Sequence, residues 1–164
     1  MVTKEQVLRL RARSGAGVMD CRRALESAGG DEERALALLQ ERSGILAGAK
    51  AGRVAVQGVV GSYVHPGGSV AALVLLRCET DFVAKSPVFL ALAKDLAMQV
   101  AAMHPTVIQP SAVPPGEKAE EVALLAQRFI KDDTGRQTVG DVVNAKVLEL
   151  KERIEIEQMI RFAV

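Results

Sequence analysis

The hydrophobic pattern of this chain changes near residue 53, and that change constrains the fold more than any other feature of the sequence. Up to about residue 45 the apolar residues recur at the spacing of amphipathic helices. Beyond residue 53 there are two valine-rich runs, Val54–Val64 and Val70–Cys78, which are typical of β-strands. The chain therefore divides into a helical part and a part that mixes strands with helices.

Glycine-rich breaks divide the first part into helices. Residues 14–17 (Ser-Gly-Ala-Gly) end a first helix and residues 28–31 (Ala-Gly-Gly-Asp) end a second. Asp31 is placed to cap a third helix, whose first turn is acidic. We expect a three-helix domain over residues 1–45, followed by a linker over residues 46–53 that is rich in Gly, Ala, Lys and Arg.

Residues 54–164 are expected to form a second domain. The two valine-rich runs flank a Pro-Gly-Gly turn and predict a β-hairpin. Pro87 favours the first turn of a largely buried helix that ends near His104. These elements, with those that follow them, predict an α+β fold in which an antiparallel sheet packs against helices.

The remaining third of the chain alternates helical and strand-like patterns. Helical spacing returns over Glu117–Phe129 and Val139–Glu149, and the second of these begins with a capping box formed by Thr138 and Asp141. Ile154–Phe162 predicts a closing strand with one irregularity near Gln158.

Charge and cysteine content narrow the classes of partner. The formal net charge is +1, so the chain as a whole has no electrostatic attraction for nucleic acid. Cys21 and Cys78 are isolated and predict buried, reduced thiols instead of a metal site. The longest uncharged apolar stretch, Val70–Leu76, is too short to cross a bilayer, and Met1–Arg13 is too charged for a secretory leader. We expect a cytoplasmic protein that binds no metal or cofactor and does not associate with a membrane.

The sequence contains no constellation of catalytic residues. The two histidines, His65 and His104, each precede a proline and predict ordinary loop positions. The glycine run at residues 14–17 follows a helix and lacks the lysine of a phosphate-binding loop. The chain is therefore not expected to be an enzyme.

Residues 78–85 (Cys-Glu-Thr-Asp-Phe-Val-Ala-Lys) connect the hairpin to the long helix and allow two interpretations. In the first, Thr80 or Asp81 caps a helix and Phe82 packs into the core. In the second, the acidic group and the aromatic ring stand at a loop apex and insert into a partner. The residues alone leave both open.

Two segments carry a family resemblance. Residues 11–25 (RARSGAGVMDCRRAL) resemble the N-terminal signature of elongation factor Ts, and residues 80–85 (TDFVAK) resemble its second signature. The similarity resumes at residues 129–133 and in the closing strand. The resemblance implies a ubiquitin-associated-like three-helix domain, a linker and one α+β core.

The resemblance also implies a function. Members of this family are guanine-nucleotide exchange factors for elongation factor Tu, the GTPase of translation elongation. The residues that match the contact of the N-terminal helices with the nucleotide domain of that GTPase are Arg11, Val18 and Met19. Because adjacent residues on a helix point about 100° apart, we expect at least one of Val18 and Met19 to face outward.

The second signature is the implied site of exchange. Its matching residues are Thr80, Asp81, Phe82 and Val83. In the family this segment enters near the Mg²⁺ site of the GTPase, and its Phe wedges between helices so that the phosphate loop and metal ligands move. Asp81 and Phe82 occupy those positions here.

The chain departs from the family pattern in two places. Lys151-Glu152-Arg153 replaces a Gly-Glu-Asn-like turn, and the segment between Pro115 and Phe129 is short, with no room for a duplicated core or a coiled-coil protrusion. A different function also fits the pattern: an adaptor in which a ubiquitin-associated-like bundle joins a scaffold that binds another protein or an RNA. A pull-down from bacterial lysate without added nucleotide distinguishes the two functions: an abundant GTPase that GDP with Mg²⁺ displaces supports exchange, and RNA or unrelated proteins support the adaptor.

The closing strand predicts self-association. A small sheet leaves its edges open, and an apolar strand exposes its side chains unless another surface covers them. We therefore expect a homodimer through the core, with Ile156, Ile160 and Phe162 near the interface or in the core.

Overall fold

The structure, a computed structural model, describes residues 2–164 and separates the chain into two compact units. One unit contains the chain up to Gly52 together with Asn144–Glu152, and the other contains Arg53–Val143 and Arg153–Val164. The helices are α1 (Lys4–Ser14), α2 (Val18–Ser27), α3 (Glu32–Lys50), α4 (Asp81–Ala84), α5 (Pro87–Met103), α6 (Ala119–Val122) and α7 (Val139–Leu150), and the strands are β1 (Gln57–Val64), β2 (Val70–Cys78) and β3 (Ile154–Ala163). Short 3₁₀ helices occupy Pro110–Ala112 and Leu124–Ala126.

The helices of the first unit begin and end where the sequence predicts, except that α3 continues beyond residue 45 to Lys50. Thr3 and Gln6 form a reciprocal capping box at the start of α1, and Gly15 ends that helix with a left-handed φ of 68°. The Asp31 side chain accepts a hydrogen bond from the backbone N–H of Arg34 and caps α3. The three-helix arrangement is therefore encoded in local signals.

The core of the first unit draws residues from all three helices and from α7. Its buried side chains are Val7, Leu10, Ala16, Cys21, Ala24, Leu25, Ala28, Ala35, Leu39 and Leu148. Leu148 lies in the part of α7 that belongs to this unit. The local pattern of α7 predicts a helix but does not specify its packing partner, so this contribution was not visible in the sequence.

The segment expected to be a linker, residues 46–53, is helical as far as Lys50. Alanine has the highest helix propensity, and the alanines of this segment extend α3 past Gly44 and Gly48. The two units divide between Gly52 and Arg53, at the end of the expected linker.

The sheet of the second unit has the strand order β1-β2-β3, and both pairs of strands are antiparallel. The hairpin of β1 and β2 is confirmed, although β1 begins three residues later than the valine-rich run. In β3, Gln158 lies opposite Leu75 and Ile156 lies opposite Leu76, so Glu157 is an extra residue and forms a β-bulge. The predicted irregularity near Gln158 is confirmed.

Helix α5 covers one face of this sheet. Phe89 and Leu96 of α5 are fully buried, as are Val74 and Leu76 of β2. A Cβ atom placed on Gly61 would lie only 2.1 Å from the carbonyl oxygen of Ala93 on α5. The absence of a side chain at Gly61 therefore permits the close contact between the helix and β1.

The helix expected over Glu117–Phe129 is wrong over most of its length. The structure has only the single turn α6 and a 3₁₀ turn there, because several backbone groups of this segment bond to residues 106–108 instead of to the next helical turn. The Leu124 N–H donates to the carbonyl oxygen of Val107 at 2.9 Å. Tertiary hydrogen bonds thus override the local helical pattern.

Two buried glutamines hold this irregular segment. Gln127 Nε2 donates to the carbonyl oxygens of Glu121 (2.8 Å) and Met103 (3.3 Å), and its Oε1 accepts from Gln99 Nε2 at 3.3 Å. Gln99 Oε1 in turn accepts from the backbone N–H of Ile130 at 2.9 Å. Both side chains are fully buried with their hydrogen-bonding groups in use, which fixes the segment in one conformation.

Other predicted elements are confirmed. The bounds of β2 and α5 agree with the sequence, and Thr138 and Asp141 form the predicted capping box at the start of α7, with Thr138 N to Asp141 Oδ2 at 2.8 Å and Asp141 N to Thr138 Oγ1 at 3.1 Å. The second unit is mixed α+β, as expected. Within residues 2–164, no helix has the length and apolar character needed to cross a membrane.

Candidate functional site: two exposed helix starts

Helix α4 is a single helical turn between β2 and α5, and hydrogen bonds fix both of its ends. Thr80 precedes it, and the Thr80 Oγ1 accepts from the backbone N–H of Val83 at 3.3 Å. Ser86 follows it, and the Ser86 hydroxyl donates to the carbonyl oxygen of Val83 at 2.8 Å while it accepts from the N–H of Phe89 at 3.3 Å. The turn is thus held at both ends by side-chain hydroxyls.

The side chains of α4 divide sharply between core and solvent. Val83 and Ala84 are buried, whereas the Phe82 side chain is 82% exposed. The interpretation in which Thr80 caps a helix is confirmed, but its second part, in which Phe82 packs into the core, is wrong. Burying a phenylalanine contributes roughly 1.5–3 kcal/mol, and the folded chain does not gain this at Phe82.

Asp81 places a charged group beside the exposed ring. Its carboxylate pairs with Lys85 Nζ at 2.9 Å, and both side chains remain largely in solvent. The hydrogen bond from Lys85 and its positive charge hold the pKa of Asp81 below its usual value. At neutral pH, α4 therefore presents a carboxylate and an aromatic ring on adjacent residues.

Glu79 lies at the base of α4 and was missed by the sequence interpretation. Its Oε1 accepts from the backbone N–H of Arg153 at 2.6 Å, and its Oε2 lies 3.3 Å from Arg53 Nη1. The thiol of Cys78 donates to the carbonyl oxygen of Thr80 at 3.2 Å. The only available signal in the sequence was an acidic residue directly before a helix cap, which by itself does not identify its partners.

The turn Lys151-Glu152-Arg153, where the sequence departs from the family pattern, supplies one of those partners. Lys151 has a left-handed φ of 60°, which reverses the chain after α7. Arg153 then donates its N–H to Glu79, and its guanidinium donates to the backbone carbonyl oxygen of Arg53 and to Glu155 Oε2. Arg153 therefore contacts the residue that precedes the cap of α4.

The first signature forms a second exposed helix start, at the N-terminus of α2. Met19 is 59% exposed, and Val18 and Arg11 are also exposed. The expectation that at least one of Val18 and Met19 faces outward is confirmed for both. These residues lie in the first unit, whereas Thr80, Asp81, Phe82 and Val83 lie in the second.

A buried carboxylate supports this helix start. Asp20 is only 6% exposed, and its oxygens contact Arg23 Nη2 (3.1 Å), Arg42 Nη1 (3.2 Å) and Lys151 Nζ (3.2 Å). A buried charge is costly unless it is paired, and here three cations surround it. Asp20 therefore ties the beginning of α2 to α3 and to the turn after α7.

The cysteines are buried, and the histidines lie at the hairpin turn and at the end of α5, so none of the four is exposed at either helix start. Cys21 and Cys78 are both buried, as predicted, and burial is the main reason that the pKa of Cys21 is raised. His65 is exposed in the hairpin turn, with its Nδ1 3.1 Å from the Tyr63 hydroxyl, and His104 ends α5 with a left-handed φ of 48°. Across the described part of the chain, no three His, Cys, Asp or Glu side chains are grouped as metal ligands would be.

Comparison with known proteins gives a consistent result. The family model described as Elongation factor TS matches residues 46–121. The protein named Elongation factor Ts from Carboxydothermus hydrogenoformans is 39% identical over 194 aligned positions, which cover 99% of this chain and 88% of the relative. The same name belongs to a protein from Syntrophomonas wolfei that is 42% identical over 159 positions, covering 96% of this chain and 74% of the relative.

A third relative, from Maridesulfovibrio salexigens, is 38% identical and is also named Elongation factor Ts; it covers 98% of this chain and 92% of its own length. The alignment with the Carboxydothermus protein is longer than this chain, so that relative carries internal residues that are missing here. Identity at this level over nearly the whole chain shows common descent and a shared role in translation elongation. The chain belongs to the elongation factor Ts family.

Proposed function

We propose that this chain binds elongation factor Tu in the cytoplasm and accelerates release of GDP from it, without catalysing a covalent reaction itself. The observation that supports this most strongly is the exposure of Phe82 on a capped helical turn, beside the charged carboxylate of Asp81. This turn is the segment that matches the family's exchange signature. Because hydrogen bonds already order the backbone of this turn, a partner that buries the ring does not have to order the backbone as well.

The mechanism requires distortion of the GTPase and no bond making. A GTPase holds its nucleotide through backbone groups around the phosphates and through a Mg²⁺ ion that bridges them. On this proposal Phe82 enters between structural elements next to that site and displaces them, and Asp81 competes for polar groups near the metal. Thr80 and Val83 keep the turn in shape through the bond between the Thr80 hydroxyl and the Val83 N–H.

The second helix start supplies affinity. Arg11, Val18 and Met19 lie on the surface of the first unit, and apolar side chains exposed at a helix start can be buried against a partner. We assign them to the contact with the nucleotide domain of the GTPase. Binding linkage makes the effect reciprocal, because a factor that weakens nucleotide binding is itself weakened by the nucleotide to the same extent.

The test is the substitution Phe82→Ala. Because the ring contacts solvent in the free protein, the melting temperature should stay close to that of the parent. Release of fluorescent GDP from elongation factor Tu should lose most of its stimulation at saturating factor. Met103→Ala is the matched control, since Met103 is an exposed apolar residue at the far end of α5. Normal stimulation by Phe82→Ala would overturn the proposal.

We also propose a homodimer through the outer face of the sheet. Leu73 lies opposite Ile160 and Ala71 lies opposite Phe162, so apolar side chains of neighbouring strands share the face away from α5. Leu73, Ile160 and Phe162 are exposed, whereas Ile156 is buried in the core. Two such faces can stack as a β-sandwich about 10 Å thick.

Light scattering at tens of micromolar protein tests this assembly. The parent should have the mass of a dimer, and Ile160→Asp should reduce it to that of a monomer with little change in melting temperature, because Ile160 is exposed in the isolated chain. A parent that scatters as a monomer would remove the dimer from the proposal. It would leave the exchange function intact.

A further inference from the structure

We propose that Glu79 is a positioning residue that sets the direction in which α4 presents Phe82, through its contacts with Arg53 and with the backbone N–H of Arg153. The proposal rests on the exchange function proposed for Phe82. It adds a role for residues that do not touch the GTPase.

The geometry at Glu79 supports this role because its carboxylate joins two partners, and Arg53 Nη1 also lies 3.5 Å from the Oε1 that Arg153 contacts. Oε1 accepts from the Arg153 N–H at 2.6 Å, and Oε2 faces Arg53 Nη1 at 3.3 Å. The Glu79 side chain is only 21% exposed, so solvent screens these contacts less than it would on the surface. Hydrogen bonds to an ionised carboxylate are stronger than those between neutral groups.

The partners connect Glu79 to every strand of the sheet. Glu79 directly follows β2, Arg53 precedes β1, and Arg153 directly precedes β3. The pairing register places Cys78 opposite Gln57 of β1 and opposite Ile154 of β3. Glu79 thus gathers three chain segments at one end of the sheet, at the point where the chain leaves for α4.

The Arg153 guanidinium closes this arrangement. It donates to the backbone carbonyl oxygen of Arg53, so Arg53 and Arg153 contact each other as well as Glu79. Three segments held pairwise form a rigid base. Thr80, the capping residue of α4, directly follows Glu79, so the contacts of Glu79 also restrict where Thr80 can lie.

A helix of one turn needs such a base. A four-residue helix is unstable in isolation, so its orientation depends on what holds its ends. The Ser86 hydroxyl bonds to the carbonyl oxygen of Val83 at the C-terminal end, and the Glu79 contacts hold the segment that enters the N-terminal end. Loss of Glu79 should let Phe82 change direction while the buried core between the sheet and α5 stays intact.

The experiment compares Glu79→Ala, Glu79→Gln and the control Glu157→Ala. Glu157 also pairs with an arginine of the same sheet, Arg77, but lies away from α4 in sequence. We expect Glu79→Ala to lower the maximal rate of stimulated GDP release about tenfold while affinity for elongation factor Tu changes less than about threefold, since misplacement of about 1 Å is costly to a positioned group. Glu79→Gln should recover part of the rate, because its amide oxygen still accepts from the Arg153 N–H. Glu157→Ala should leave the rate unchanged.

The double variant with Phe82→Ala separates positioning from other roles. If Glu79 acts through Phe82, then Glu79→Ala should cause no further loss in the Phe82→Ala background. Independent, multiplying losses would overturn the inference, as would a fall in release that only follows a fall in the folded fraction measured by thermal melting. If the Phe82→Ala variant stimulates GDP release from elongation factor Tu as well as the parent does, then the proposed function fails, and the positioning role fails with it.

Discussion

The starts of α2 and α4 both present an apolar side chain to solvent, but the protein supports them in different ways. Helix α2 has ten residues, and Cys21, Ala24 and Leu25 anchor it in the core of the first unit. Helix α4 has four residues and is held by hydrogen bonds at its ends. A long helix can present Met19 through packing, whereas a single turn must fix its termini to present Phe82.

The acidic neighbours differ in the same way. Asp20, next to Met19, is buried among three cations and serves the structure of its own unit. Asp81, next to Phe82, is exposed and has one flexible partner, Lys85. Exposure leaves Asp81 available to another protein, and burial removes Asp20 from such a role. The comparison therefore predicts that substitutions at the two starts alter different measurable quantities.

The largest expected effect is on the stability of the second unit, which contains α4, and not on that of the first unit, which contains α2. Gly61→Ala would place a Cβ 2.1 Å from the carbonyl oxygen of Ala93, and backbone on both sides resists the movement needed to relieve the clash. We expect the free energy of unfolding of the second unit to fall by about 3 kcal/mol or more. Hydrogen exchange followed by mass spectrometry should show lost protection in β1, β2 and α5.

Two internal references accompany that measurement. Peptides from α1 to α3 report on the first unit in the same sample, and Ser62→Ala alters the neighbouring exposed position of the same strand. Unchanged protection of α5 in Gly61→Ala would show that the contact between helix and strand can relax, and that the sheet is a softer support than the structure indicates.

The next effect concerns the buried carboxylate of the first unit. Asp20→Ala removes the common partner of Arg23, Arg42 and Lys151, and we expect the free energy of unfolding to fall by about 1–3 kcal/mol. The loss is moderate because all three cations remain accessible to water. Glu26→Ala, which removes an exposed ion pair from the same helix, should change stability far less. Denaturant titration of both variants checks the difference, and equal effects would contradict it.

A smaller effect sharpens the distinction between affinity and exchange. Met19→Ala removes an exposed side chain whose burial against a partner contributes roughly 1.5–3 kcal/mol, so affinity for elongation factor Tu should weaken about tenfold or more. The maximal rate of GDP release should stay near that of the parent, unlike with Phe82→Ala. Leu8→Ala, an exposed apolar position on α1, is the control. Titration of release against factor concentration separates the two parameters.

The smallest effect lies outside both helix starts. The Asp132 carboxylate accepts from the Gln137 and Arg136 N–H groups, each at 2.7 Å, and from the Thr134 hydroxyl at 2.7 Å. These bonds lower the pKa of Asp132 from 3.8 to about 2, with the bond from Gln137 the largest cause. Because the folded pKa lies below the unfolded value, the stabilisation is complete above about pH 4 and is lost as the pH falls towards 2.

Asp132→Asn should therefore lower the melting temperature by a few degrees at neutral pH, and the difference from the parent should shrink as the pH falls through this window. Thermal melts at a series of pH values measure this directly. Asp133→Asn, at the adjacent exposed position, is the matched control. A difference that grows towards low pH would contradict the assignment of the carboxylate as hydrogen-bond acceptor.

Local signals in the sequence predicted much of the fold. The bounds of β2, the start of α5 at Pro87 and the capping box of α7 depend on residues within a few positions of each other, and all three are confirmed. The helix predicted over residues 117–129 was wrong because hydrogen bonds from this segment reach back to Val107 and Met103. A helical pattern carries no information about such distant acceptors.

The candidate site was also predictable from the sequence only where its residues are close together in the chain. The motif at Thr80–Val83 was visible because its residues are contiguous, and the exposure of Phe82 excludes the packing of its ring into the core of this chain. The supports were not visible, because Glu79 and Arg153 are separated by 74 positions and Asp20 and Lys151 by 131. Long-range contacts of this kind, one a hydrogen bond from a backbone N–H and the other an ion pair, are specified by the fold and leave no periodic pattern in the sequence.

The buried glutamines near the end of α5 make the fold tolerant of changes in chain length. Gln99 and Gln127 hold the irregular segment at its inner end, whereas Gly116, with a φ of 91° and open space around it, lies in an exposed turn at its outer end. Lengthening a surface turn adds little closure entropy, so residues can be gained or lost there while the pinned end keeps its place. The exposed turn at Gly116 can therefore gain or lose residues without disturbing the buried contacts of Gln99 and Gln127.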